Sequence, residues 1–105
     1  TIIQPIIFPK NGYELVEADY SKLDNVIKLM KHYPTSILTI SGYAFDGVDT
    51  KYNEVLSVLR ARICFDYIIN KGISEDRITY SGFGNSKEIT LENLKTAVDF
   101  QLFLQ

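Results

Sequence analysis

The sequence predicts an α/β sandwich in which two main helices pack on one face of a small mixed sheet. Three observations point there. Short runs rich in β-branched and aromatic residues, at Ile37-Leu38-Thr39-Ile40, Arg77 to Ser81 and Thr96 to Leu104, have the character of strands. Two longer segments, from Asp19 or Ser21 to about Tyr33 and from about Thr50 to Asn70, carry apolar residues at helical spacing and fall between the strands. The chain has 105 residues, enough for one core and too few for two, so residues 1–105 read as a single domain.

Each element has a local reason. Ile2 to Phe8 is apolar and β-branched but broken by Pro5, which suits an edge strand. Pro9-Lys10-Asn11-Gly12 is turn chemistry. Asp19 or Ser21 can cap the first helix, and Leu23, Val26, Ile27 and Met30 form its apolar stripe. Tyr33 precedes Pro34, which disfavours further helix and marks the stop. The second helix ends at Lys71-Gly72, where glycine takes the left-handed cap. Gly82 and Gly84 close the third strand, Glu88 to Asn93 reads as a short helical turn, and the last strand follows. No repeat, low-complexity segment or internal linker interrupts this order.

Composition excludes several classes. A hydrophobic content of 46% with 23% charged residues is that of a globular domain. A net charge of -2 argues against a general grip on nucleic acid or anionic lipid. No apolar run approaches the ~20 residues that cross a bilayer, so no direct membrane insertion by this domain is expected. Thr1 opens directly on a strand-like run without initiator Met or signal peptide, which reads as a domain of a longer protein. Cys64 stands alone and cannot form an intrachain disulfide. It falls on an apolar helix face, while His32 lies near the end of the first helix with no second metal-type ligand at suitable spacing. No cofactor or metal is expected, and no acid, base or nucleophile cluster points to an enzyme. Gly82-Phe83-Gly84 lacks the helix start of a nucleotide loop, and the seven tyrosines form no ladder with basic residues.

The most informative stretch is Asn53-Glu54-Val55-Leu56-Ser57-Val58-Leu59-Arg60-Ala61. Residues seven apart on a helix differ by roughly 20° around its axis, so Asn53 and Arg60 share a side. That side also carries Leu56, Ser57, Ala61, Cys64, Tyr67 and Ile68, and reads as the buried face. An unpaired buried guanidinium costs several kcal/mol, so Arg60 either pairs inside the protein or awaits an acidic ligand.

These residues, with others in order along the chain, resemble the OmpA-like domain, a non-catalytic peptidoglycan-binding module of Gram-negative envelope proteins. Phe8 with Asn11 is similar to the first strand and loop of that family. Leu23-Asp24 with Tyr33-Pro34 is similar to its first helix and stop, and Ile37 to Tyr43 to its second strand. Asn53 to Ala61 is similar to its signature helix. Tyr67-Ile68, Gly72-Ile73, Arg77-Ile78, and Ser81-Gly82-Phe83-Gly84 follow its later pattern, and Val98-Asp99-Phe100 its final strand. The resemblance implies a βαβαβ-type sandwich and a periplasmic address at the outer membrane. It also implies a site that grips the free end of diaminopimelate in the peptidoglycan stem peptide. That end carries an ammonium and a carboxylate, which an acidic side chain and a bidentate arginine recognise through charge-assisted hydrogen bonds.

By that resemblance Arg60 meets the ligand carboxylate, while Asn53 and Asn11 hold its backbone. The acidic partner departs from the pattern. Counted without gaps from Asn53, the family aspartate position holds Phe45, its preceding threonine is Ala44 and its histidine Tyr43; Asp46 lies one place further on. The closing segment Lys95-Thr96-Ala97-Val98-Asp99 has lost both arginines of the family. Two outcomes follow. Asp46 takes over the aspartate's role, or Arg60 pairs internally with Asp46 or Asp49 while Asn53 caps local backbone. The expected function is an envelope module with a degenerate site and weak or altered wall binding. The alternative is a docking domain for other envelope proteins that has lost the ligand.

The second helix also carries Val55, Val58, Leu59, Phe65 and Ile69 on the side opposite its buried face, interrupted by Arg62 and Asp66. Either the C-terminal segment with Phe100, Leu102, Phe103 and Leu104 covers this stripe, or Val58, Phe65 and Ile69 meet a partner protein.

Overall fold

The computed structural model describes residues 3–47, 49–85 and 96–104. The expected helical turn at Glu88 to Asn93, the start of the first strand at Ile2, and Lys95 of the closing segment lie outside the described residues. The elements are β1 (Ile6–Ile7), α1 (Glu17–His32), β2 (Ile37–Gly42), α2 (Thr50–Asn70), a 3-10 turn (Glu75–Arg77), β3 (Ile78–Gly82) and β4 (Ala97–Phe103). They build one four-stranded sheet in the order β1-β4-β2-β3, with β2 and β3 parallel and the other pairs antiparallel.

Pleating explains which face the helices cover. Leu38 and Ile40 of β2, Ile78 of β3, and Val98 and Phe100 of β4 are buried and in register on one side. Thr39 pairs with Thr79 and Gln101 on the other, polar side. The predicted stripe of α1 is fully confirmed, with Leu23, Val26, Ile27 and Met30 all buried. Among the described residues the short β1, interrupted upstream by Pro5, pairs only with β4, as an edge strand should.

Helix α1 starts earlier than the cap residues suggest. Val16 stands at the N-cap and its N–H donates to Asp19 Oδ2 at 3.0 Å, so Asp19 works from inside the first turn. At the other end of α1, Arg77 donates to the Met30, Tyr33 and Ser36 carbonyls at 2.8, 2.9 and 3.0 Å. A cation suits that place, because a helix C-terminus presents unpaired carbonyls with partial negative charge. The α1–β2 connection is thereby tied to the start of β3.

Helix α2 crosses the ends of the two parallel strands at very close range. Gly42 and Gly82 sit side by side in register, and α2 lies directly on them. A methyl group at Gly42 would sit on the Ser57 carbonyl oxygen and 3.1 Å from Ala61 Cβ; one at Gly82 would be 2.5 Å from the Val58 amide nitrogen. Small residues on both sides permit this contact, and Ser57 Oγ adds a bond by accepting from the Gly84 N–H at 2.9 Å.

Gly42→Ala should therefore cost at least about 3 kcal/mol, the upper range for overpacking, because the obstacle is helix backbone. Urea unfolding checks this; a loss below about 1 kcal/mol would show that α2 can slide away.

Candidate functional site

The seating of α2 on the glycines points Arg60 into the space between two loops at the end of the sheet. One loop, residues 8–12, follows β1; the other, residues 43–47, follows β2. Arg60 is fully buried. Its Nε donates to Gly12 O at 2.7 Å. Nη1 donates to Tyr43 O at 3.1 Å and to Asp46 Oδ1 at 2.9 Å. Nη2 donates to Pro9 O at 3.2 Å and to Asp46 Oδ2 at 3.0 Å. A guanidinium has five N–H donors, and all five are used here. Its carbon also lies 5.4 Å from the centre of the Phe8 ring, a cation–π contact.

Asp46 is equally well held. Its side chain is fully buried, and besides the bidentate pair it accepts from the Asn11 N–H at 2.7 Å and the Phe45 N–H at 3.2 Å. Burial pushes its carboxyl pKa up. The Arg60 hydrogen bonds, the Asn11 amide, the Arg60 charge and the Phe45 amide outweigh that and hold it below the ordinary aspartate value.

The other expected residues have local roles. Asn53 is buried and grips Gly47 twice: Oδ1 accepts from the Gly47 N–H at 3.1 Å, and Nδ2 donates to Gly47 O at 2.9 Å. Asn11 adopts a positive φ of 61° and contributes its N–H to Asp46, while its Oδ1 accepts from Tyr52 OH at 2.7 Å. Asp49 does not reach Arg60; it caps α2 by accepting from the Lys51 N–H at 2.9 Å. Of the two internal partners considered from sequence, the structure selects Asp46. Tyr52 and the Ser57–Gly84 link were missed by sequence reasoning. The only available signals were the exposed wheel position of Tyr52 and the small residues facing each other across α2.

The second stripe of α2 divides. Phe65 and Ile69 are half-buried against the core, with the Phe65 ring 4.8 Å from that of Tyr80 on β3. Val55, Val58 and Leu59 are exposed. The C-terminal strand does not cover them: Phe100 packs in the core, while Phe103 and Leu104 are themselves exposed. Cys64 is buried and its thiol pKa is pushed up, first by burial, whereas His32 is on the surface. Among the described residues, no group of three or more His, Cys, Asp or Glu could hold a metal ion. Within them no helix is long and apolar enough to cross a membrane.

Comparison with known proteins matches residues 7–100 to the OmpA family. The peptidoglycan-binding protein ArfA of Mycobacterium tuberculosis is 35% identical over 81% of this chain and 26% of its own length. Outer membrane protein A of Buchnera aphidicola is 32% identical over 94% of this chain and 29% of its own. The chain thus spans about a quarter of the length of these relatives. Among solved structures, the peptidoglycan-associated lipoprotein from Burkholderia pseudomallei superposes with a TM-score of 0.82 at 15% identity, covering 94% of this chain and 89% of that one. The OmpA-like domain of FopA1 from Francisella tularensis gives 0.81 at 21% identity, covering 93% and 70%. The last two likenesses show the fold.

Asp46→Ala leaves Arg60 buried without its counter-charge and should destabilise the domain by about 3–5 kcal/mol in urea unfolding. A loss under about 1 kcal/mol would mean that water replaces the carboxylate. The pH dependence has a definite sign. Because the native pKa of Asp46 is depressed, its contribution is fully present above the unfolded value near 3.9 and is lost as pH falls through the native value. Stability measured across the acid limb should therefore fall less steeply in Asp46→Asn than in the parent; equal slopes would refute the assignment.

Proposed function

This chain belongs to the OmpA family, and from that premise we propose that it is a non-catalytic cell-envelope module. It takes the diaminopimelate end of a peptidoglycan stem peptide at the Arg60–Asp46 pair. One observation supports this above the rest: a carboxylate and a guanidinium, opposite in order to the ligand's ammonium and carboxylate, face each other between two loops. Their ligand is a zwitterion. Its carboxylate takes the Arg60 fork and its ammonium takes the Asp46 oxygens, so each group exchanges one charged partner for another. Asn53 acts through Gly47, fixing the loop that carries Asp46, and Asn11 supplies an amide to the same carboxylate. The name of one relative, the peptidoglycan-binding protein ArfA, agrees with peptidoglycan as the target. On this reading the chain is one domain of a longer protein and works in the periplasm, at the outer membrane.

Binding is weak. All five guanidinium donors are already satisfied, so a ligand gains only the difference between its own contacts and those it displaces. A second reading, docking onto another envelope protein, draws on Val55, Val58 and Leu59, which lie exposed along α2.

Amide NMR titration separates the two. A stem tetrapeptide with meso-diaminopimelate should shift the Asn11, Asp46 and Gly47 amides, and the lysine-containing peptide should bind at least roughly 30-fold more weakly, as loss of one member of a desolvated charge pair implies. Asp46→Asn should weaken the diaminopimelate peptide alone. Absence of shifts at those amides, or equal binding of both peptides, rejects the anchor reading.

A further inference from the structure

The sheet ends on β1 at one side and on β3 at the other. An open edge offers unpaired N–H and C=O groups to another strand, and natural proteins blunt it with short length, proline or charge. β1 is blunted, with two residues and Pro5 just before it. β3 is not. It runs five residues, Ile78-Thr79-Tyr80-Ser81-Gly82, without proline or a charged side chain. Among the described residues β2 is its one neighbouring strand. Register shows which of its main-chain groups point outward. Phe83 N–H donates to Gly42 O at 2.9 Å, and bonding alternates along a parallel ladder, so Thr79 and Ser81 also bond toward β2. Tyr80 and Gly82 therefore turn their amides to the open side, as Ile78 and Tyr80 turn their carbonyls. Ile78 N–H is taken by Glu75 O, so the free ladder begins after it.

Side chains define what this edge accepts. On the helix side, Phe65, Ile78 and Tyr80 floor a shallow hollow, with the two rings 4.8 Å apart. Glu75 and Asp76 border it, and both are exposed. Arg77, the adjacent cation, is turned away onto the carbonyls at and after the end of α1. We propose that the free edge of β3 takes an extended basic segment of a partner protein as an added antiparallel strand. Its apolar side chains lie on the Phe65–Tyr80 rings, and its cations lie beside Glu75 and Asp76. Main-chain bonds supply affinity in such strand addition, and the hollow and the acidic border supply specificity. A second copy of this chain fits poorly. Antiparallel pairing about Tyr80 would set Glu75 and Asp76 against the Gly84 end of the other copy, where Glu54 packs on Gly84. Like charges facing each other across a ladder destabilise it. No residue of the Arg60–Asp46 site takes part, so strand addition and wall anchoring are tested apart.

The probe is an acetylated peptide of alternating valine and threonine that ends in Lys-Arg, followed by amide NMR and hydrogen exchange on this chain. It should shift the Tyr80 and Gly82 amides and slow their exchange. Directly opposed residues in a ladder share a face, so valines on the rings turn their own N–H groups toward β3. N-methylation of the valines should therefore weaken binding at least about tenfold, since it leaves β3 carbonyls unpaired. N-methylation of the threonines should spare it. Glu75→Lys with Asp76→Lys should weaken the unmodified peptide about tenfold, with thermal melts confirming that the variant is folded. Absence of shifts at Tyr80 and Gly82, or equal binding of the two N-methylated forms, overturns the strand assignment. Equal binding to the lysine variant overturns the basic character of the partner. Shifts confined to Val55, Val58 and Leu59 place docking on the helix and also overturn it. If the Tyr80 amide is already protected without peptide, either in a monomer or in a concentration-dependent dimer seen by sedimentation, the edge has another occupant and the proposal fails.

Discussion

A single buried guanidinium organises one end of this molecule. Arg60 reaches from α2 to three carbonyls on two loops and to one carboxylate, and every donor it owns is engaged. The loops after β1 and β2 make no long regular structure of their own, so their relative position depends on that fork. Such a pair adds little net stability, because desolvating both ions offsets much of their attraction. Its contribution is geometric. Five directional bonds admit one arrangement of Pro9, Gly12, Tyr43 and Asp46, and a hydrophobic substitute of equal volume would admit many.

Where Arg60 stands is decided further back, by the absence of side chains. Gly42 and Gly82 let the α2 backbone come down onto β2 and β3, with Ser57 and Ala61 as the small residues on the helix side. Ser57 then fastens Gly84, whose carbonyl accepts from Ala44 N–H at the base of the β2 loop. The opposite end of the sheet uses a second arginine differently. Arg77 gathers carbonyls at the end of α1 and the turn after it, together with Ser36 Oγ. A helix terminus already carries partial negative charge, so a cation there is stabilised by dipoles and remains half exposed. Arg60 has loop carbonyls and complete burial, and it requires a formal anion. One arginine closes the end of a helix; the other ties two loops together.

Periodicity made the fold legible. Helix α2 runs over Thr50–Asn70 as its spacing implies, and the stripe of α1 is buried residue for residue. The start of α1 was harder, because the search for a polar residue before the helix passes over Val16, whose amide is served by Asp19 from within. At the site, the mismatch of an arginine on an apolar face was visible in sequence alone. Its partner was not: Asp46 and Asp49 are both in reach of a loop without periodicity, and only coordinates show that Asp49 is spent on capping. The same limit applies to the second stripe of α2. A helical wheel gives the angle of Phe65 and Ile69 but not the neighbour they meet, and β3 lies close enough to half-bury both.

Asp46 shows how a short loop meets the demand of a buried guanidinium. A gapless count puts phenylalanine where the resemblance expects the carboxylate, which on spacing alone leaves open whether Asp46 takes its place or Arg60 pairs internally with Asp46 or Asp49. In three dimensions the loop turns so that the next residue delivers both carboxylate oxygens to the fork, within 3.0 Å of Arg60. The loop is clamped at one end by Asn53 on Gly47 and at the other by the sheet, and between them the Asp46 side chain accepts from Arg60 and from the Asn11 and Phe45 amides. Burying a lone guanidinium would cost several kcal/mol. Charge pairing therefore favours the loop conformation in which Asp46 turns inward to Arg60.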